Sequence, residues 1–175
     1  GTQMIRWSET FCQILAEQGY RVIRFDNRDA GLSTHFHNGS IPDLAAIADA
    51  VSRGEASNVP YTLFDMANDA VGLLDALMIK RAHVIGRSMG GMIAQLLASE
   101  HAERVLSLVS IMSSTGNRDL PQASPAVMAA MTLPAPHPLK DEQGYLAHCV
   151  AFSQVIAGRG YPFDESAQRD QALAE

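Results

Sequence analysis

Two cysteines, one tryptophan and an aromatic fraction of 6% are what this sequence has least of. Cys12 and Cys149 are far apart, outside any C-x-x-C pair and away from any histidine-rich run. That argues against a disulfide framework or a cysteine zinc site; two free thiols in a reducing, cytoplasmic compartment are expected. No run of 18 apolar residues is present, so no transmembrane helix is expected. No basic-then-apolar leader opens the chain, so a signal peptide is not expected either. The chain starts at Gly1 rather than Met, and that start is not read as a natural one. Charge is sparse, 18% of residues with a net charge of −6 and no basic cluster, which argues against nucleic acid or an anionic membrane as partner. What is abundant is apolar: 47% hydrophobic over 175 residues, enough for one domain with a real core.

Periodicity divides that apolar content into elements. Met4, Trp7, Phe11 and Leu15 recur at helical spacing and predict a helix ending near Gly19. Tyr20-Arg21-Val22-Ile23-Arg24-Phe25 reads as a strand. Asp26 to Pro60 reads as a loop with one short helix at Asp43–Val51. Thr62-Leu63-Phe64-Asp65 has the form of a capping box, and Leu63, Met66, Ala67, Ala70, Val71, Leu74, Leu77 and Met78 then keep helical spacing. Ala82–Ile85 and Val105–Ile111 read as buried strands, with a helix through Met89, Met92, Ile93, Leu96 and Leu97 between them. Three apolar strands alternating with helices predict a parallel sheet covered on both faces. After Ser113 the prolines Pro121, Pro125, Pro134, Pro136 and Pro138 interrupt the chain. Helices are expected there at Gly144–Ala157 and Asp164–Ala174, with no further strand.

Between the second strand and its helix stands Gly86-Arg87-Ser88-Met89-Gly90, which fits G-x-S-x-G, the nucleophile elbow. A serine on a strand-to-helix turn presents its hydroxyl at the strand's C-terminal end. Small flanking residues, Gly86 and Gly90, let the turn close without side-chain clashes. The helix from Met89 aims unpaired N–H groups and a positive dipole end at the same spot. The pattern alone arises by chance in roughly one chain in twenty of this length. The strand before it and the helix after it supply the required context. A dinucleotide fingerprint would need glycine in place of Ser88, and a phosphate loop would need Gly-Lys-Ser/Thr. The bland alternative is a packing turn whose serine merely caps the helix. On the enzymatic reading, Ser88 is the nucleophile and the Met89 N–H one oxyanion donor.

Asp26-Asn27-Arg28-Asp29-Ala30-Gly31-Leu32-Ser33 and Val84-Ile85-Gly86-Arg87-Ser88-Met89-Gly90-Gly91 together resemble the α/β-hydrolase superfamily, in particular its aclacinomycin-methylesterase-like and haloperoxidase-like branch. Asp29 stands where glycine is usual in that family. The resemblance implies an α/β fold, a parallel-sheet sandwich of the α/β-hydrolase type. It is truncated here, with residues 1–115 as a partial core and 116–175 as a helical cap. It also implies that Asp26–Ser33 is a structural turn in which Arg28 and Asp29 hold loops together.

A serine nucleophile needs a base and an orienting acid, and in this superfamily the order is Ser, Asp/Glu, His. Asp119, His137 and His148 fall in the expected cap and are poor candidates. His83 opens a strand away from the elbow, and His101 ends the elbow helix. His35-Phe36-His37 has no further ligand at metal spacing, so no metal site is expected. The acid and histidine are therefore expected beyond Glu175, and the first oxyanion donor just before Gly1. Arg87 is read as an exposed arginine pairing with a nearby carboxylate, the alternative being contact with an anionic substrate group. Met128, Met131, Leu133 and Phe152 in the cap suggest an apolar acyl or alcohol group. The expected function is a serine hydrolase of small-molecule carboxylic esters, with no cofactor and inactive as this piece alone. Homo-oligomerisation is left open. The alternatives are a non-catalytic α/β binding module or inactive remnant, and an acyltransferase or perhydrolase relative.

Overall fold

The computed structural model describes residues 3–36, 44–55, 59–117, 119–121 and 123–174. Gly1-Thr2, His37 and the expected helix start at Asp43 lie outside the described residues. The chain divides into two compact units, one of residues 1–4 and 23–117, the other of residues 5–22 and 118–175.

The first unit contains helix α2 (Leu44–Ser52), helix α3 (Leu63–Ala76), strand β1 (Ala82–Arg87), helix α4 (Met89–Glu100) and strand β2 (Val105–Ile111). β1 and β2 pair in parallel, with Ile85 opposite Val109 and Arg87 opposite Ile111. The crossover between them is α4, which packs on both strands and against α3. Met66 and Ala67 of α3 meet Ile93 and Leu97 of α4 in the buried centre, flanked by Val84 and Val105 of the strands. Removing each large side chain there from water contributes roughly 1.5–3 kcal/mol.

Two expectations fail. Tyr20–Phe25 forms no strand, and among the described residues the sheet has two strands rather than three. A β-rich run becomes a strand only when a neighbour accepts its ladder, and β1 and β2 ladder only to each other. For the same reason the strands are less buried than a parallel sheet covered on both faces requires: Leu106 is 48% exposed, and Leu108, Val109 and Ile111 are exposed as well.

Helix ends follow local chemistry closely. α3 begins with a complete capping box, in which the Thr62 Oγ1 accepts from the Asp65 N–H and the Asp65 carboxylate accepts from the Thr62 N–H at 2.7 Å. Its other end is a Schellman turn: the Met78 N–H donates to the Asp75 carbonyl and the Ile79 N–H to that of Leu74. Met78 occupies the left-handed position at φ 56° and is 90% exposed. Arg104 ties the same end down, its guanidinium donating to the Ile79 and Lys80 carbonyls and pairing with Asp75 at 2.7 Å.

The loop after Phe25 is organised by three polar residues. The buried Asp26 carboxylate accepts from the Met4 N–H at 2.6 Å and the Leu32 N–H at 3.2 Å. A Cβ on Gly31 would land on that carboxylate. Arg28 forks onto Asp69 of α3 with two bonds of 2.6 Å and lies over the Phe36 and Tyr61 rings. Asp29 sits in the left-handed region at φ 60°, which asparagine and aspartate tolerate better than other side chains, and accepts from the Phe36 N–H at 2.7 Å. Arg28 and Asp29 hold the loops together, as the resemblance implied.

The second unit is helical: α1 (Glu9–Glu17), α5 (Pro125–Thr132), α6 (Glu142–Ile156) and α7 (Glu165–Leu173). The side chains of Ser8, Ser124, Asp141 and Asp164 cap the four helices in turn. Ser8 starts α1 at Glu9, five residues later than the apolar spacing suggested, and Met4–Arg6 form a 3₁₀ turn. α5 was not expected; its signal is Ser124-Pro125, an N-cap followed by proline where no N–H is needed. α6 buries Leu146 and packs on α5 and α7, with Arg169 donating to the Gln143 Oε1 at 2.7 Å.

Replacing Met78 by glycine removes a left-handed side chain that makes little packing contact. The protein is expected to gain about 1 kcal/mol, a rise in Tm of a few degrees by circular dichroism. The Thr62 hydrogen bonds hold the Asp65 carboxyl below its ordinary value of 3.8. The stability this contributes is present above that value and is lost as pH falls through the lower folded-state value. Asp65→Asn should flatten the acid limb of stability against pH; an unchanged acid limb would exclude the contribution.

Candidate active site

At the end of β1 the backbone turns sharply into α4 at Ser88, whose dihedrals are φ 54° and ψ −126°. This lies in the left-handed half of the map, where a non-glycine residue persists only when its surroundings impose it. Those surroundings are on both sides. The Ser88 N–H donates to the Ile111 carbonyl of β2 at 2.9 Å, which extends the ladder into the turn. The Ser88 carbonyl accepts from the Gly91 N–H at 2.8 Å and the Met92 N–H at 3.2 Å, which starts the helix immediately.

Ser88 therefore occupies the N-cap position of α4, yet its hydroxyl makes no capping hydrogen bond. The bland alternative of a helix-capping serine does not describe this turn. Ser88 is exposed, and the N–H groups of Met89 and Gly90 belong to the first turn, where no intrahelical acceptor exists. The helix dipole adds a partial positive charge at the same end. A site of this kind suits an oxygen nucleophile beside a developing negative charge.

The two flanking glycines differ in role. A Cβ on Gly86 would collide with the Gly90 carbonyl and the Gly91 Cα, so only glycine lets α4 start so close to β1. Gly90 itself faces open space, contrary to the expectation that both flanks of the serine are sterically constrained. The second crowded position is Gly91, which the five-residue pattern does not cover. The doubled glycine was its only trace in the sequence.

Met89 points inward and packs against the core between α3 and α4. It also borders a groove of about 400 Å³ whose other walls include Asn27, Arg28, Tyr61, Leu63 and Met66. Tyr61 hydrogen-bonds to Asp29, and this bond, with some burial, pushes its phenol above the ordinary value of 10. Four of the described histidines have hydrogen-bond partners. His83 meets the Ser107 Oγ across the strands at 2.8 Å, and His101 meets Asn68 of α3 at 3.0 Å. His35 meets the Gly31 carbonyl at 3.0 Å, and the His137 ring accepts from the Leu139 N–H at 3.2 Å. His148 lies on α6 and Asp119 between β2 and α5, both in the second unit. Among the described residues no three metal-ligating side chains gather, and no helix is long and apolar enough to cross a membrane.

Comparison with known proteins agrees with the fold. The model of the α/β-hydrolase fold family matches residues 6–150. The rhodomycin D methylesterase DauP of Streptomyces sp. (strain C5) is 30% identical, the match covering 95% of this chain and 55% of that protein. DnrP of Streptomyces peucetius, also a rhodomycin D methylesterase, is 28% identical with the same coverage. The chain thus spans about half the length of these curated relatives. Among solved structures, the meta-cleavage product hydrolase CumD of Pseudomonas fluorescens IP01 superposes with a TM-score of 0.64 at 19% identity, over 96% of this chain and 50% of that one. A hydrolase from Pseudomonas aeruginosa PA01 gives 0.52 at 26% identity, over 99% of this chain and 55% of that one. With the family matched over most of its length and its strand–elbow–helix unit in place, this chain belongs to the α/β-hydrolase fold family.

Proposed function

We propose that the protein is a serine hydrolase of carboxylic esters working through an acyl-enzyme. The observation that carries this is the Ser88 turn: a strained serine at the mouth of a helix, with its hydroxyl not used for capping. Ser88 Oγ attacks the ester carbonyl carbon, the C=O π pair moves to oxygen, and the Met89 N–H stabilises the resulting oxyanion. Collapse expels the alcohol, which takes up the proton, and water then releases the acid by the same steps in reverse order of groups. Gly86 supports the chemistry by letting the first turn of α4 approach the end of β1, while a Cβ on Gly90 would meet open space. The methylesterase names of DauP and DnrP support the ester class.

This mechanism requires a histidine base and an orienting carboxylate, which the described residues of the first unit do not place at Ser88. The histidine hydrogen bonds to Ser107, Asn68 and Gly31 are structural. The 175 residues alone are accordingly expected to show no ester turnover. Residues 116–175 are assigned the role of cap. That same lack of a base favours the second reading, a binding module without chemistry, and acyl transfer would share the acyl-enzyme.

Two measurements separate these. The complete protein should be labelled covalently by a fluorophosphonate, with labelling abolished in Ser88→Ala; absence of wild-type labelling leaves only the binding module. Hydrolysis of p-nitrophenyl acetate by the complete protein should fall at least 10³-fold in Ser88→Ala. Activity retained in that variant would place the nucleophile elsewhere.

A further inference from the structure

The first turn of α4 is held from two directions. On the β1 side, Gly86 lets the Gly90 carbonyl come close. On the β2 side, Gly91 is buried against Ser113, two residues past the strand's end. A Cβ on Gly91 would stand 2.5 Å from the Ser113 Cβ, 2.7 Å from its Oγ and 3.0 Å from the Ser110 Oγ. Such separations are well inside van der Waals contact, so something has to move.

What moves is decided by which side is anchored. Ser113 follows Met112, a non-glycine residue at φ 50°, so the chain leaving β2 is already in a sparsely allowed conformation. Gln95, one turn along α4, donates to the Ser110 Oγ at 2.9 Å and the Ser114 carbonyl at 3.4 Å, which pins the helix on both sides of Ser113. The Ser113 hydroxyl is buried with no hydrogen-bond partner among the described residues. A buried orphan hydroxyl costs about 1–3 kcal/mol, so it is the packing of Ser113 that shapes this place rather than its polarity. The Gly91 N–H is bonded to the Ser88 carbonyl, so strain at Gly91 bears on the start of α4. Displacement of Gly91 is passed directly to Ser88 and Met89.

We propose that Gly91 and Ser113 form a positioning pair that sets how deeply the first turn of α4 seats against the exit of β2, and so where the Met89 N–H points. The pair rests on the assignment of Ser88 as nucleophile and touches no substrate itself. Its effect belongs to the transition state, where the oxyanion donor acts, and not to reagent binding.

The experiment measures saturable fluorophosphonate labelling of the complete protein. Gly91→Ala should lower the limiting labelling rate about 10- to 100-fold while the half-saturating reagent concentration stays nearly constant. Adding Ser113→Gly to Gly91→Ala opens the space again and should restore most of the rate. Ser113→Ala keeps the Cβ and should label like the wild type. If Gly91→Ala fails to fold, Ser113→Val presses from the other side and should show the same loss. Wild-type rates in folded Gly91→Ala or Ser113→Val, or a double variant no faster than Gly91→Ala, would overturn the pair while leaving Ser88 intact. An unlabelled wild type would remove the nucleophile and the pair with it.

Discussion

The first turn of α4 approaches the end of β1 so closely that a single methyl group on Gly86 would strike the Gly90 carbonyl. That separation links the strained backbone of Ser88, the seat of α4 on both strands and the direction of the helix's unpaired N–H groups. A parallel strand pair needs a crossover, and here the crossover helix begins one residue after the first strand ends. There is no loop in which to relax the change of direction, so one residue takes it all. A non-glycine residue at φ 54° is unfavourable, and it persists because the ladder bond to Ile111 and the helical bonds from Gly91 and Met92 determine it from both sides.

The same economy recurs around the elbow. The core between α3 and α4 is small, and Met89 is part of it. Met89, the proposed oxyanion donor, thus has its side chain anchored in packing, which suits a donor that must not reorganise during reaction. α3 is in turn fixed at its start by the capping box, midway by the Arg28–Asp69 fork, and at its end by Arg104. Loop, helix and elbow are therefore mechanically continuous within the first unit.

Much of this is legible in the sequence, and the failures over the strands share one cause. The capping box at Thr62, the helix through Met66 and Val71, the two paired strands and the elbow are local patterns with local consequences. Tyr20–Phe25 has the composition of a strand, but strand formation is a pairing event, and no partner ladder meets it. The apolar run of β2 predicted burial, yet burial depends on what covers a face, which composition does not state. α5 was missed because prolines were read as breaks, although proline after Ser124 opens a helix as readily as it ends one.

For the site, the motif alone places Ser88, Met89, Gly86 and Gly90 at a strand-to-helix turn. It could not tell a capping hydroxyl from an uncommitted one, because that depends on the serine's own dihedrals. Nor could it show that Gly90 is sterically free while Gly91 is not. By itself the sequence determined the family, most of the helices and the location of the elbow, because these follow from periodicity, capping chemistry and residue size over a few neighbouring positions. The tertiary structure alone decided the number of strands, the strained angle at Ser88 and the contact of Gly91 with Ser113, because each depends on segments far apart in sequence meeting at contact distance.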